Sequence, residues 1–267
     1  MKLYAENYFS VTPEDKAKLA EIKKKEKTES IRGFRRPLNH LYPKSVRHNE
    51  SYFPNNFLDA YDINAEKDNM RIVLEEYKKV IDLPDSNERT TQKFIRKNRA
   101  YFIIGSVLKW DYNFGHHGLY IFPEFPLSSQ NNVDYLVIGR RTGGFEYVFV
   151  ELEAIYGQII IKGGNFGAAI RKGISQVEDW NIWIEKNYSC LFNEFAKHSN
   201  KEADLPLEFR ELDKTRIHYC IISGRRKDFD EKSYNLRRRS KKERDILILH
   251  YDNLYDYSRD VIKNGNY

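Results

Sequence analysis

The rhythm of apolar and polar positions changes at about residue 85. Before it, Thr12-Pro13-Glu14-Asp15 reads as a helix start: Thr12 can cap, Pro13 suits the first helical position, and two acids face the positive end of the helix dipole. That helix is expected to run to about Lys27. Residues 28–69 are rich in Pro, Asn, His and aromatic residues and keep no period of 2 or 3.6, which predicts irregular structure with short helical pieces. Ile72, Val73, Tyr77 and Val80 restore a helical period over Met70 to Ile81, and Leu83-Pro84-Asp85-Ser86 breaks it.

After the break the pattern predicts a helix at about 88–98, capped by Ser86 or Asn87, then strands at about 118–125, 132–138 and 145–153. A long helix from Gly167 to Lys186, a strand at Arg216 to Ser223, another at Ile246 to His250 and a closing helix at about 252–263 complete the order. The fold expected is α/β: a mixed central sheet flanked by helices over residues 85–267, preceded by a small, mostly helical or irregular N-terminal region, 1–84.

The strands at 132–138 and 145–153 are joined by Gly139-Arg140-Arg141-Thr142-Gly143-Gly144, whose glycines suit the positive φ of a hairpin turn. Centring the turn between Thr142 and Gly143 pairs Val133 with Leu152, Tyr135 with Val150 and Val137 with Val148 on one apolar face. On the other face Leu136 meets Phe149 and Ile138 meets Tyr147, while Asp134 lies across from Glu151 with Glu153 two residues on. Opposed residues in such a ladder have Cβ atoms roughly 4.5 to 5.5 Å apart. Three carboxylates gathered among apolar side chains need either a raised pKa or a bridging cation, and hard oxygen donors suit Mg²⁺ or Mn²⁺. A slip of one residue would send Asp134 to the opposite face.

Composition narrows the classes. The 267 residues are 40% hydrophobic and 31% charged, with mean hydropathy −0.72 and no apolar run near the roughly 18 to 20 residues of a membrane span, so a folded chain without a membrane helix is expected. Two cysteines are too few for a disulfide framework and the first residues lack an apolar signal core, which points to the cytoplasm. The net charge is +6, and residues 225–244 alone, with ten bases and four acids, carry all of that excess. A local cationic stretch on a neutral body suits a phosphate backbone, although a solvated loop would look the same.

Asn87-Glu88, Gln92-Lys93-Phe94-Ile95-Arg96-Lys97-Asn98, Val133-Asp134-Tyr135-Leu136-Val137, Val150-Glu151-Leu152-Glu153, Gln176-Val177 with Trp180, Ile222-Ser223-Gly224-Arg225 and Tyr251-Asp252-Asn253-Leu254 stand in this order. Together they resemble the Shedu family of bacterial anti-phage nucleases over about residues 85–263, and the Asp and Glu-Leu-Glu pieces resemble the restriction-endonuclease-like PD-(D/E)xK core. The resemblance implies a DNA endonuclease dependent on Mg²⁺ or Mn²⁺, acting in phage defence as a homo-oligomer. It implies that Asp134 and Glu151 hold the metal, with Glu88 as an additional acid nearby. Glu153 stands where that core has Lys. Lys172, one helical turn before Gln176, is the candidate for the missing ammonium, ahead of Lys162, and Gln176 would orient phosphate or water. Arg225, Arg226, Arg237, Arg238, Arg239, Lys241 and Lys242 would hold the DNA backbone. Glu153 leaves open a catalytically impaired DNA-binding or sensor module, and a protein-interaction subunit with a structural cation is a third class.

Other motifs read more plainly. Lys162-Gly163-Gly164-Asn165-Phe166-Gly167 lacks the spacing of a Walker loop, and His116-His117 has no ligand partners at zinc spacing.

Overall fold

Strands that are apolar on both faces build a six-stranded sheet in the order β1 (Phe57–Asp59), β2 (Gly118–Pro126), β3 (Asn132–Arg141), β4 (Gly144–Leu152), β5 (Ile217–Ile222) and β6 (Ile246–Leu249). The computed structural model describes residues 3–28, 43–128 and 131–267. β1 to β4 pair antiparallel, and β4 to β6 pair parallel. The fold is therefore α/β with a mixed sheet flanked by helices, as the pattern predicts. The helices are α1 (Pro13–Thr28), α2 (Pro43–Glu50), α3 (Ala60–Ala65), α4 (Lys67–Asp82), α5 (Glu88–Asn98), α6 (Phe102–Gly105), α7 (Leu108–Asp111), α8 (Ala168–His198), α9 (Glu231–Arg244) and α10 (Tyr251–Asn264). No helix among the described residues is long and apolar enough to cross a membrane.

Side-chain alternation divides the core into two layers. Val137, Val148, Val150, Leu152 and Ile222 pack with Leu74, Tyr77 and Ile81 of α4 and with Leu254 and Val261 of α10. Leu136, Ile138, Tyr147, Phe149 and Ile221 pack with Ile170, Ile174, Val177, Trp180 and Ile184 of α8, the stripe expected to be core. β3 and β4 pair in the predicted register, Leu136 with Phe149 and Ile138 with Tyr147. Of the hairpin glycines only Gly144 needs positive φ, at 116°.

Three differences have physical causes. The stretch read as irregular contributes β1, which pairs with β2, and α3, capped by the Asp59 carboxylate accepting from the Tyr61 amide; residues 29–42 of that stretch lie outside the described ones. α8 runs past Lys186 to His198, because after a break at Asn187 (φ −131°, ψ 19°) Tyr188, Leu191 and Phe195 keep facing the core. Leu83–Ser86 ends α4, but packing crosses it, since α4 lies in one core layer with α10.

A fourth difference concerns Arg225, expected on DNA with Arg226. Arg225 is buried where the ends of α4 and β5 meet the start of α10: Nε and Nη2 donate to Asp252 at 2.9 and 2.8 Å, and Nη2 donates to Asp82 at 2.6 Å. Arg226 pairs with Asp256, and its amide donates to Asp252 at 2.8 Å. A guanidinium shared by two carboxylates out of water is a structural clamp, unavailable to phosphate.

Burial opposes ionisation of Asp252, but Arg225 and the Arg226 amide outweigh it and hold the carboxyl well below the usual range. The stability this provides is complete above about pH 4 and is lost as pH falls through the depressed value. Arg225→Ala should cost about 3 kcal/mol in urea denaturation at neutral pH, because two acids are left facing each other. The cost should shrink on acidification; equal costs at both pH values would refute the clamp.

Candidate active site

α5 is started by a capping box: the Asn87 side chain accepts from the Thr90 amide and the Thr90 hydroxyl accepts from the Asn87 amide. Glu88 and Gln92, four residues apart, share a helix face. Gln92 Nε2 donates to Asp134 Oδ1 at 2.7 Å. The Leu152 amide donates to Asp134 Oδ2 at 2.7 Å. The last paired step of the β3–β4 ladder is Tyr135 with Val150. One step on, where Asp134 was expected to face Glu151 as a simple cross-strand pair, its carboxylate instead takes the N–H that a strand carbonyl would have taken.

Glu151 and Glu153 are both buried, at 5% and 3% exposure. Glu151 Oε2 is buried without a hydrogen-bond partner. Glu153 follows β4: its amide donates to the Ile222 carbonyl at 2.8 Å, its carbonyl accepts from the Tyr251 hydroxyl at 2.7 Å, and its Oε1 accepts from Lys172 Nζ at 2.9 Å. Gly173 packs beside that last contact. A Cβ there would lie 3.0 Å from Ile221 and 3.2 Å from the Glu153 Cγ, so a larger residue would make these side chains give by a few tenths of an ångström.

Burial raises the Asp134 carboxyl, against its two hydrogen bonds and with help from the charge of Glu88. Burial also raises Glu151, followed by the charges of Asp134 and Glu153, with Lys172 opposing. Glu153 is raised by burial and held back by Lys172, whose own ammonium is stabilised first by its hydrogen bond to Glu153. Asp134 and Glu151 thus titrate as a pair in which double ionisation is penalised.

Three acids were expected around one cation. Among the described residues no group of three or more His, Cys, Asp or Glu side chains is arranged to hold a metal ion. Glu153 is drawn toward Lys172 instead. What remains is Asp134 beside Glu151 with its orphaned oxygen, and two carboxylates fit Mg²⁺ or Mn²⁺, which retain several waters. Each Asp134 oxygen keeps a lone pair beyond the bond it accepts.

Lys172, Ser175, Gln176 and Asp179 of α8 line a cleft of about 540 Å³ with Asn131 and Asn132. Ser175 also borders a groove of about 430 Å³ between α8 and α9, lined by Arg171, Glu178, Arg239 and Arg244. The basic segment is thus a helix over Glu231–Arg244, not a loop. Arg239 pairs with Glu243, Lys241 with Asp245 and Arg244 with Glu178, while Arg237 is largely covered beside Asp111 and Lys242 is exposed. Arg237, Arg238, Lys241 and Lys242 line a different depression from Arg239, so the expected DNA-binding residues do not form one surface.

A family model described as Shedu protein SduA, C-terminal, matches residues 85–255. The chain belongs to the Shedu family. No curated protein matches it. Family membership links this Shedu chain to anti-phage defence. The match begins at the Leu83–Ser86 break and spans Glu88, Asp134, Glu151, Glu153 and Lys172. Gln92 was assigned no role from the sequence, although its spacing from Glu88 was the available signal.

In metal-free protein the raised carboxyls keep protons that the unfolded chain has already released. Their contribution to stability is complete below about pH 4 and is lost as pH rises through the raised values. Glu151→Gln should therefore exceed wild type in stability by about 1 to 2 kcal/mol at mildly alkaline pH in chelator. The gap should close toward acid pH; a gap independent of pH would remove the argument from burial.

Proposed function

We propose that this Shedu chain is a divalent-metal-dependent DNA endonuclease with a PD-(D/E)xK-type core, acting in anti-phage defence in the cytoplasm as a homo-oligomer. In this reading residues 85–267 carry the chemistry and residues 1–84 serve recognition or regulation. The observation that carries it is the buried Glu151 oxygen with no hydrogen-bond partner, beside an Asp134 carboxylate that is itself oriented by two donors.

Asp134 and Glu151 would hold Mg²⁺ or Mn²⁺, with Glu88 close enough to add negative charge. Bound there, the ion would supply Lewis acidity toward a phosphodiester and a water of lowered pKa. Gln92 and the Leu152 amide keep Asp134 aimed. Lys172 restores, from α8, the ammonium that Glu153 displaces from the motif, and the Glu153–Lys172 pair can accept a proton at the carboxylate or stabilise phosphate charge at the ammonium. Gln176 lines a cleft with Lys172 and would orient phosphate or water. On α9, Arg238 and Lys242, which line one depression, would contact the DNA backbone, so binding should weaken with salt.

A second reading, a catalytically impaired DNA-binding or sensor module, is favoured by one observation: Glu153 occupies the lysine position and already engages Lys172.

Plasmid nicking separates the two. Wild type should cut supercoiled DNA with Mg²⁺ or Mn²⁺ and not with chelator, and Asp134→Asn and Glu151→Gln should each lose at least about a hundredfold in rate. Folded wild type that binds DNA but cuts neither duplex nor single strands in any divalent metal would select the sensor reading. In calorimetric titration, Gln92→Ala should weaken Mn²⁺ binding by about tenfold, as loss of a ligand-orienting partner does. Unchanged affinity in Gln92→Ala would take Asp134 out of the metal site.

A further inference from the structure

Two motifs left unused by the nuclease reading meet at one place. The hairpin turn with Arg140 and the His116-His117 loop border a cavity of about 740 Å³, at the other end of β3 and β4 from Asp134 and Glu151. Its floor is aromatic. Tyr52 packs on Phe145 at 5.8 Å, Phe57 on Tyr120 at 5.4 Å, and Tyr120 on Phe145 at 6.2 Å between ring centroids. Tyr52 and Phe57 are only half-buried, so ring surface faces the cavity.

The rim is cationic. The Arg140 guanidinium sits 5.5 Å from the Phe145 centroid, and among the described residues it pairs with no carboxylate. His116 and His117 are exposed beside it, whereas Arg141 is engaged by Glu146 at 2.6 Å. Glu50 is the one acid on the lining. The volume suits a small ligand with a planar apolar part and a few polar anchors. An apolar molecule would bury the guanidinium and imidazoles without partners, and a bare anion would leave the rings unused. A heterocycle carrying phosphate satisfies both, by stacking on the rings and by a forked contact with Arg140.

We propose that this cavity is a nucleotide-binding site: the base lies against Tyr52 and Phe57, and the phosphates meet Arg140, His116 and His117. The occupant is a free nucleoside phosphate. It would touch both the segment before residue 84 and the β3–β4 hairpin. The proposal is independent of the nuclease reading.

The test is isothermal titration of the full chain in chelator with ATP, GTP, UTP, AMP and inorganic phosphate. At least one nucleotide should bind well below millimolar concentration, with phosphate alone far weaker. Arg140→Glu, at an exposed position, should weaken binding by at least about tenfold with an unchanged melting temperature, and Arg140→Gln should fall between. Asp134→Asn should bind as wild type does, which separates this site from the metal site. Absence of binding by every nucleotide at millimolar concentration would overturn the proposal, as would phosphate binding equal to a nucleotide, Arg140→Glu binding unchanged, or binding of a single-stranded oligonucleotide without any free nucleotide.

Discussion

The hydrogen-bonded register of β3 on β4 is the constraint from which the candidate site follows. It brings Asp134 to the end of the ladder, where its carboxylate takes the Leu152 amide, and it leaves Glu151 as the next inward acid. β4 is interior, held antiparallel by β3 and parallel by β5, so its register cannot drift without breaking both ladders. α8 then packs with Gly173 against Ile221 and Glu153, and Lys172 reaches the Glu153 carboxylate. The candidate groups thus arrive from four elements through ordinary backbone geometry.

The protein treats buried charge in two ways. At Arg225, two carboxylates and a guanidinium close into a satisfied network. At the start of β5 His218 bridges two acids, with Nε2 2.7 Å from Glu146 and Nδ1 3.0 Å from Asp245. Asp134 and Glu151 have no such counter-charge: burial raises both, and one oxygen of Glu151 has no partner. A charge left open in the interior costs several kcal/mol unless a proton or cation joins it, so this pair is costly as structure and useful as a site.

Charge in the sequence did not map onto charge at the surface. The +6 of residues 225–244 divides among a buried clamp, intrahelical pairs on α9 and a few exposed side chains. Meanwhile Arg140, unremarkable in a hairpin turn, stands over an aromatic ring and, among the described residues, has no acidic partner. Linear density counts charges, but folding decides which of them still face water.

By itself the sequence determined the strands, the long amphipathic helix and the β3–β4 register, because side-chain periods of 2 and 3.6 and turn chemistry act over a few residues and are written locally. It also marked Asp134, Glu151 and Glu153 as acids out of place in apolar strands. Only the tertiary structure decided that Glu153 pairs with Lys172 from α8, that Gln92 orients Asp134 from α5, and that Arg225 is a core clamp. It alone brought β1 into the sheet and carried α8 on beyond Asn187. Each of these depends on contacts between residues far apart in the chain, set by how layers pack and how much water they exclude, and no local period encodes that.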